Sequence, residues 1–308
     1  MKIYTLTLNP AYDVHATSEN FEAYHESLAH IESREAGGKG VNISRALANA
    51  EIPNTAVIVL GKENAGDFKA ALAQLDFGCL LLEKEGRIRE NLTLHTAGKP
   101  ETRISFAGFS ADDSLLDEVL SLLEVDSHTI VTVTGRLTSG ISAAAAKCFL
   151  RKLTALGAKI VLDSKSFSLA DILELQPWLI KPNQEEISEY LNCPVDTVEQ
   201  ALEKAMVFAE KGIANVMVSL GAQGAMLVCD GKSYIATPPC ITPVSTVGAG
   251  DSMIAGFLSA VYHGNAPADC LKTAVAYGTA ACLTAGTLPP QKQEAERIYN
   301  QVTVMEGM

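Results

Sequence analysis

Thr129-Ile130-Val131-Thr132-Val133, then an Ala-rich run from Ser142 to Leu156 closed by Gly157, then Lys159-Ile160-Val161-Leu162: this stretch decides the fold class. The outer segments are short, apolar and β-branched. The inner one has helical composition, and a glycine stands where a helix C-terminus needs a left-handed residue. Strands that are apolar along their whole length suit a parallel sheet covered on both faces. The same unit recurs outward. Val57-Ile58-Val59-Leu60 and Asn215-Val216-Met217-Val218-Ser219-Leu220 read as further strands, and Val41 to Ala50 and Thr197 to Lys211 as helices, the latter closed by Gly212. Alternating strands and helices predict a doubly wound α/β sheet. Two stretches break the pattern, at about 12–35 and 87–108. In the second, Asn91 to His95 and Thr102 to Phe106 flank a Gly98-Lys99-Pro100 turn, which predicts a hairpin in a small separate sheet. One domain over 1–308 with this small β lid is the expected organisation.

Bulk properties narrow the function. The 308 residues are 47% hydrophobic and 19% charged, enough to bury a large core. A net charge of -12 argues against nucleic acid and anionic membrane as partners. The opening MKIYTLTLNP reads as a first strand and not as a signal peptide. No apolar run approaches the roughly 18 residues of a membrane span. Seven scattered cysteines without a C-x-x-C pair imply free thiols and a cytoplasmic location. The six histidines show no metal-ligand spacing.

Two glycine clusters carry the chemistry. Thr246-Val247-Gly248-Ala249-Gly250-Asp251 leads into an apolar, helix-compatible run. Glycines let the backbone approach a ligand closely, and a helix N-terminus offers free N–H groups and a favourable dipole. Gly248, Ala249 and Gly250 thus make a candidate anion hole for a transferring phosphoryl group. Asp251 beside it is a candidate general base for an attacking hydroxyl. The competing reading is an Asp that acts only as a cap or dipole partner of the helix. Gly37-Gly38-Lys39-Gly40-Val41-Asn42 is the second cluster. Lys39 adds a positive donor, and Asn42 both donates and accepts. Neither a P-loop nor the dinucleotide fingerprint is present here, which demotes P-loop NTPases and Rossmann dehydrogenases.

The two clusters, in this order and about two hundred residues apart, resemble the PfkB (ribokinase-like) carbohydrate kinases over essentially the whole chain. Lys181-Pro182-Asn183-Gln184-Glu185-Glu186 is similar to the family's N-x-x-E segment, Val218 to Ala225 to its nucleotide-contacting strand and turn, and Asn9 to Asp13 to its first-strand segment. The resemblance implies a mostly parallel sheet with a β lid. It makes Asp251 the base, and Asp13, Gly37, Gly38, Lys39 and Asn42 substrate-binding. Lys181, Asn183, Ser219, Gly221 and Gly224 would bind ATP, and Asn183 and Glu186 would organise Mg²⁺ through water. A monovalent cation is left open as a further cofactor, and so is a homodimer, because lids in this family pair between subunits. Ala276-Tyr277-Gly278 is a guess for the adenine pocket.

The G-G-K-G form resembles the branch acting on phosphorylated ketohexoses, the 1-phosphofructokinases and tagatose-6-phosphate kinases. Lys39, Arg89 and Arg103 are then expected to clamp the phosphate already on the sugar. Two segments depart from the family: Arg136 stands where a serine is usual, and Asp163-Ser164-Lys165-Ser166 adds a cation. Fructose 1-phosphate, tagatose 6-phosphate and fructose 6-phosphate are not separated. A kinase for another sugar or a nucleoside, and a non-catalytic regulator, stay open as alternatives.

Overall fold

A computed structural model describes residues 1–307. The chain runs β1 (Lys2–Thr7), β2 (Ala11–Ser18), β3 (His30–Gly37), α1 (Lys39–Asn49), β4 (Thr55–Gly61), α2 (Ala65–Leu72), β5 (Gly78–Lys84), β6 (Arg89–Thr96), β7 (Thr102–Ser105) and α3 (Ser114–Ser121). It continues with β8 (Thr129–Thr134), α4 (Ala143–Ala155), β9 (Lys159–Asp163), α5 (Leu169–Leu175), β10 (Leu179–Ile180), α6 (Gln184–Leu191), α7 (Val198–Glu210) and β11 (Asn215–Ser219). It ends with β12 (Ala225–Cys229), β13 (Lys232–Thr237), α8 (Ala249–Tyr262), α9 (Pro267–Ala281), α10 (Lys292–Tyr299) and β14 (Thr303–Gly307).

Ten strands form one sheet in the order β14-β13-β12-β11-β10-β9-β8-β1-β4-β5. From β5 through β11 every pairing is parallel, and β11 to β14 pair antiparallel. The strands expected from their apolar runs are β4, β8, β9 and β11. Every residue of β8 is buried, as a two-sided sheet demands. Alternate residues feed two cores. Val131, Ile160 and Val216 pack with Phe149, Leu150 and Phe208 on one face; Ile130, Val161 and Met217 pack with Ile43, Phe257 and Leu271 on the other. Gly157 and Gly212 follow their helices with φ of 98° and 100°, the left-handed region expected there.

The remaining strands form a second sheet, β3-β2-β6-β7. Asn91–Leu94 pairs antiparallel with Thr102–Ser105, which is the expected hairpin. One face of this sheet is apolar. Tyr12 and Val14 join Ile58, Leu60 and Phe68 in a third core. Period-two alternation therefore turns Asp13, Arg89 and Asn91 to the opposite face.

Ala276, Tyr277 and Gly278 are buried inside α9. A side chain on Gly278 would collide with Met253 of α8, so this glycine lets the two helices pack closely.

Candidate active site

Sheet order places the site. β1 has β4 on one side and β8 on the other, so the chain winds outward in both directions from this point. Open α/β sheets bind ligands at such a reversal, beyond the carboxyl ends of the strands. There the loops after β1, β8, β9, β10 and β11 converge, bringing Asn9, Gly135–Leu137, Asp163, Lys181 and Ser219 to one edge.

The first turn of α8 lies on this edge. Gly248 takes the N-cap position with φ 79°, and no side chain caps the helix. The N–H groups of Gly250 and Asp251, whose helical acceptors would be Thr246 and Val247, make no such bond. Asp251 is buried at 6% exposure. Its carboxylate turns away from the helix end and accepts a hydrogen bond from Asn42 Nδ2 at 2.9 Å. The capping alternative is thereby set aside. Burial pushes the Asp251 carboxyl up to about 6, against the pull of Lys39 and the Asn42 bond. A carboxyl with this pKa is mostly ionised at neutral pH and keeps useful proton affinity.

Three more charges surround the hole. Lys181 is 6% exposed, and a methyl group on Gly250 would come within 3.0 Å of its Nζ. Its ammonium therefore lies against the α8 terminus. Asp163, the last residue of β9, sits between two ammoniums: Lys39 Nζ at 2.9 Å and Lys181 Nζ at 3.8 Å. Burial pushes the Asp163 carboxyl up, but Lys181 and Lys39 together hold it below the usual range. Burial lowers Lys39, and Asp163 and Asp251 more than offset this and raise it. Lys181 is thus a buried cation whose carboxylate partner is Asp163.

The polar face of the second sheet holds the other half of the site. Asp13 Oδ1 accepts a hydrogen bond from Asn91 Nδ2 at 2.9 Å, and a side chain at Gly37 would collide with the Asp13 carboxylate. Burial raises the Asp13 carboxyl, opposed by Asn91 and Arg89. Arg89 donates to Asn91 Oδ1 at 3.0 Å and to the Asn9 carbonyl at 3.4 Å. Burial lowers its pKa, Asp13 raises it, and the neighbouring Arg136 lowers it again.

The expected clamp of Lys39, Arg89 and Arg103 is therefore not assembled. Lys39 is bound to Asp163. Arg103 is exposed and ion-paired at 3.0 Å with Glu101, two residues earlier on its own strand side. Arg136, on the loop after β8, is the cation beside Arg89.

On the nucleotide side, Asn183 and Glu186 form a reciprocal capping box on α6. Asn183 Oδ1 accepts from the Glu186 N–H at 2.7 Å, and Glu186 Oε2 from the Asn183 N–H at 3.1 Å. The other Glu186 oxygen faces Lys165 Nζ at 3.6 Å. Ser219 bridges to Asn183 across the strand ends, and Gly221 is open, with φ 59°. Gly224 does not belong with them. It is buried with φ 95°, and a side chain would strike the Ala236 carbonyl; it shapes the turn into β12 and offers no surface to a nucleotide. Asp163 was missed as a site residue. Its position, a carboxylate ending a central parallel strand, was the available signal.

An uncapped helix terminus, a buried carboxylate beside it and a polar sheet facing them, on a doubly wound α/β core, suit a phosphotransferase acting on a hydroxyl. The pfkB family carbohydrate kinase model matches residues 7–294, and the chain belongs to that family, with its ribokinase-like fold. It is an ATP-dependent carbohydrate kinase. It is 33% identical to 1-phosphofructokinase of Escherichia coli K12 over 259 residues, 83% of each chain. It is 29% identical to 1-phosphofructokinase of Vibrio cholerae over 98% of this chain and 96% of the other. Phosphofructokinase-2 of E. coli, solved with substrates and products, superposes with a TM-score of 0.91 at 27% identity, covering 97% of this chain and 99% of that one. That enzyme has also been solved with potassium and as an inhibited tetramer. Among the described residues, no helix is long and apolar enough to cross a membrane.

Proposed function

We propose that this chain transfers the γ-phosphoryl group of ATP to a phosphorylated ketohexose, fructose 1-phosphate in the first place, giving fructose 1,6-bisphosphate. Tagatose 6-phosphate, giving tagatose 1,6-bisphosphate, is the alternative substrate. The observation that carries the proposal is Asp251, buried at an uncapped helix terminus and held there by Asn42. Relatives named 1-phosphofructokinase support the substrate class. So does the nearness of Arg136 to Arg89, since a second phosphate needs cations to hold it.

In this mechanism Asp13 accepts hydrogen bonds from the sugar, and Arg89 and Arg136 hold its existing phosphate. Asp251 takes the proton of the attacking hydroxyl. The N–H groups of Gly250 and Asp251, with the Lys181 ammonium, stabilise the charge on the transferring group. Lys39, kept charged by Asp163, faces the same group. Ser219 and Gly221 line the ATP phosphates. The residues present fit Mg²⁺ carried in by the nucleotide: one Glu186 oxygen is free of the capping box, and a hydrated cation bound mostly to phosphate needs little more. When bound, Mg²⁺ neutralises the β- and γ-oxygens.

The second sheet serves as a lid in a single domain, and its closure keeps water from the γ-phosphate. Exposed Ile31, Ile104 and Phe106 on that sheet favour a homodimer. A cytoplasmic location and response to a monovalent cation complete the proposal.

The test is ADP release with Mg·ATP over fructose 1-phosphate, tagatose 6-phosphate, fructose 6-phosphate, fructose and a nucleoside. Turnover ranked highest on fructose 1-phosphate is expected. Turnover on fructose or the nucleoside alone would keep Asp251 and remove the arginine pair. Silence on all five, with ATP still bound, would favour a non-catalytic regulator.

A further inference from the structure

Arg45 stands one helical turn beyond Asn42 on α1 and has no role in the mechanism so far. It is 9% exposed, and its Nε and Nη1 have no hydrogen-bond partner. The facing carboxylate oxygen, Glu35 Oε2, lies 3.9 Å away and is itself buried and unpartnered. Two opposite charges thus face each other in the interior, just beyond hydrogen-bond reach. Burial lowers the Arg45 guanidinium, with Glu35 and Asp13 opposing. Buried charges are ordinarily paired and hydrogen-bonded, and an unsatisfied cluster of this kind calls for a state in which it is satisfied.

Its location says which state. Glu35 lies on β3 directly opposite Asp13 on β2. Gly37 and Gly38 then join β3 to α1, the helix that carries Arg45. The Arg45–Glu35 gap therefore separates the core from the strand pair that presents Asp13. A shortening of about 1 Å would bring 3.9 Å to the distance of a charge-assisted hydrogen bond.

We propose that Arg45 is a positioning residue for the sugar: by closing onto Glu35 it draws β3 and β2 toward the core and sets Asp13 over the sugar hydroxyls. The inference rests on the proposed function, because it takes Asp13 to be a sugar ligand. Arg45 acts through Glu35 and touches neither substrate.

The experiment measures kcat and both KM values for Glu35→Gln, Arg45→Met, Arg45→Lys and the Glu35→Gln/Arg45→Met double variant, with melting temperatures. Glu35→Gln keeps the volume of a side chain that is only partly buried, so it reports even where Arg45→Met does not fold. The expected result is a KM for fructose 1-phosphate raised about tenfold in Glu35→Gln and Arg45→Met, with the KM for ATP within about twofold. Arg45→Lys should recover part of the loss, and the double variant should be no worse than the poorer single one. Sugar and ATP KM values that move together, effects that multiply, or a fall in melting temperature alone would overturn the proposal. A wild-type protein silent on every sugar phosphate would instead overturn the proposed function.

Discussion

Helices α6 and α8 both begin at the ligand edge of the sheet, and their first turns are built in opposite ways. In α6 the orphan N–H groups are met by the chain itself: Asn183 and Glu186 bond each other's backbone. In α8 glycine holds the N-cap, no side chain caps, and the acidic residue of the first turn bonds a different helix through Asn42. The closed end stabilises its helix and leaves one carboxylate oxygen outside the cap, facing Lys165. The open end forgoes that stabilisation and keeps its N–H groups and dipole for an anion. What separates the capped terminus from the open one, which we propose to be catalytic, is where the acidic side chain goes.

The sharpest way to break the contrast is Asp251→Asn. Turnover should fall by ~10²–10⁴-fold, the usual worth of a general base. The same change should raise the melting temperature. The carboxyl titrates in the folded protein near 6, above its ordinary value of 3.8. Its charged form therefore costs stability in full above about pH 6, and the cost fades as pH falls from there to about 3.8. Loss of activity with a lower melting temperature would mean that Asp251 is structural.

Gly250→Ala should cost about 10- to 100-fold in kcat, less than losing a whole oxyanion donor, because the new methyl group presses on Lys181. An unchanged kcat would remove Lys181 from the hole. At the closed end, Glu186→Gln should raise the Mg²⁺ needed for half-maximal rate by roughly tenfold, read from titrations at fixed ATP. Asn183→Ala should also cost about 1 kcal/mol in denaturant unfolding, the price of a cap. A comparable loss of stability on replacing Gly248 by Asn would show that α8, too, was already satisfied. The smallest effect belongs to Arg103→Ala, within about twofold on every kinetic constant, as for an exposed ion pair. A tenfold rise in sugar KM would restore it to the clamp.

Sheet, helices and hairpin were legible because they rest on local pattern. β8 is β-branched throughout, and Gly157 follows α4 where the helix must stop. The open end of α8 was legible for the same reason, since glycines before an apolar helix are a local signal. Pairing was not. Lys39 reads as part of the sugar-phosphate clamp until β9 brings Asp163 to it across the sheet. Arg103 reads as a clamp residue until Glu101, its neighbour in sequence, takes its charge. Gly224 carries the same loop chemistry as Gly221, and only the approach of the Ala236 carbonyl separates them. Arg136 looked like a departure from pattern and proves to be the cation beside Arg89.

One measurement goes to the centre of the account: the pH dependence of kcat/KM for fructose 1-phosphate in the wild type and in Asn42→Ala. The Asn42 bond lowers the Asp251 pKa, so its loss must raise it. Substrate ionisation is common to both proteins and drops out of the comparison. The wild-type rate should rise with pH through about 6, and the acid limb should move to higher pH in Asn42→Ala. Acid limbs that coincide would mean that the titrating base is not Asp251.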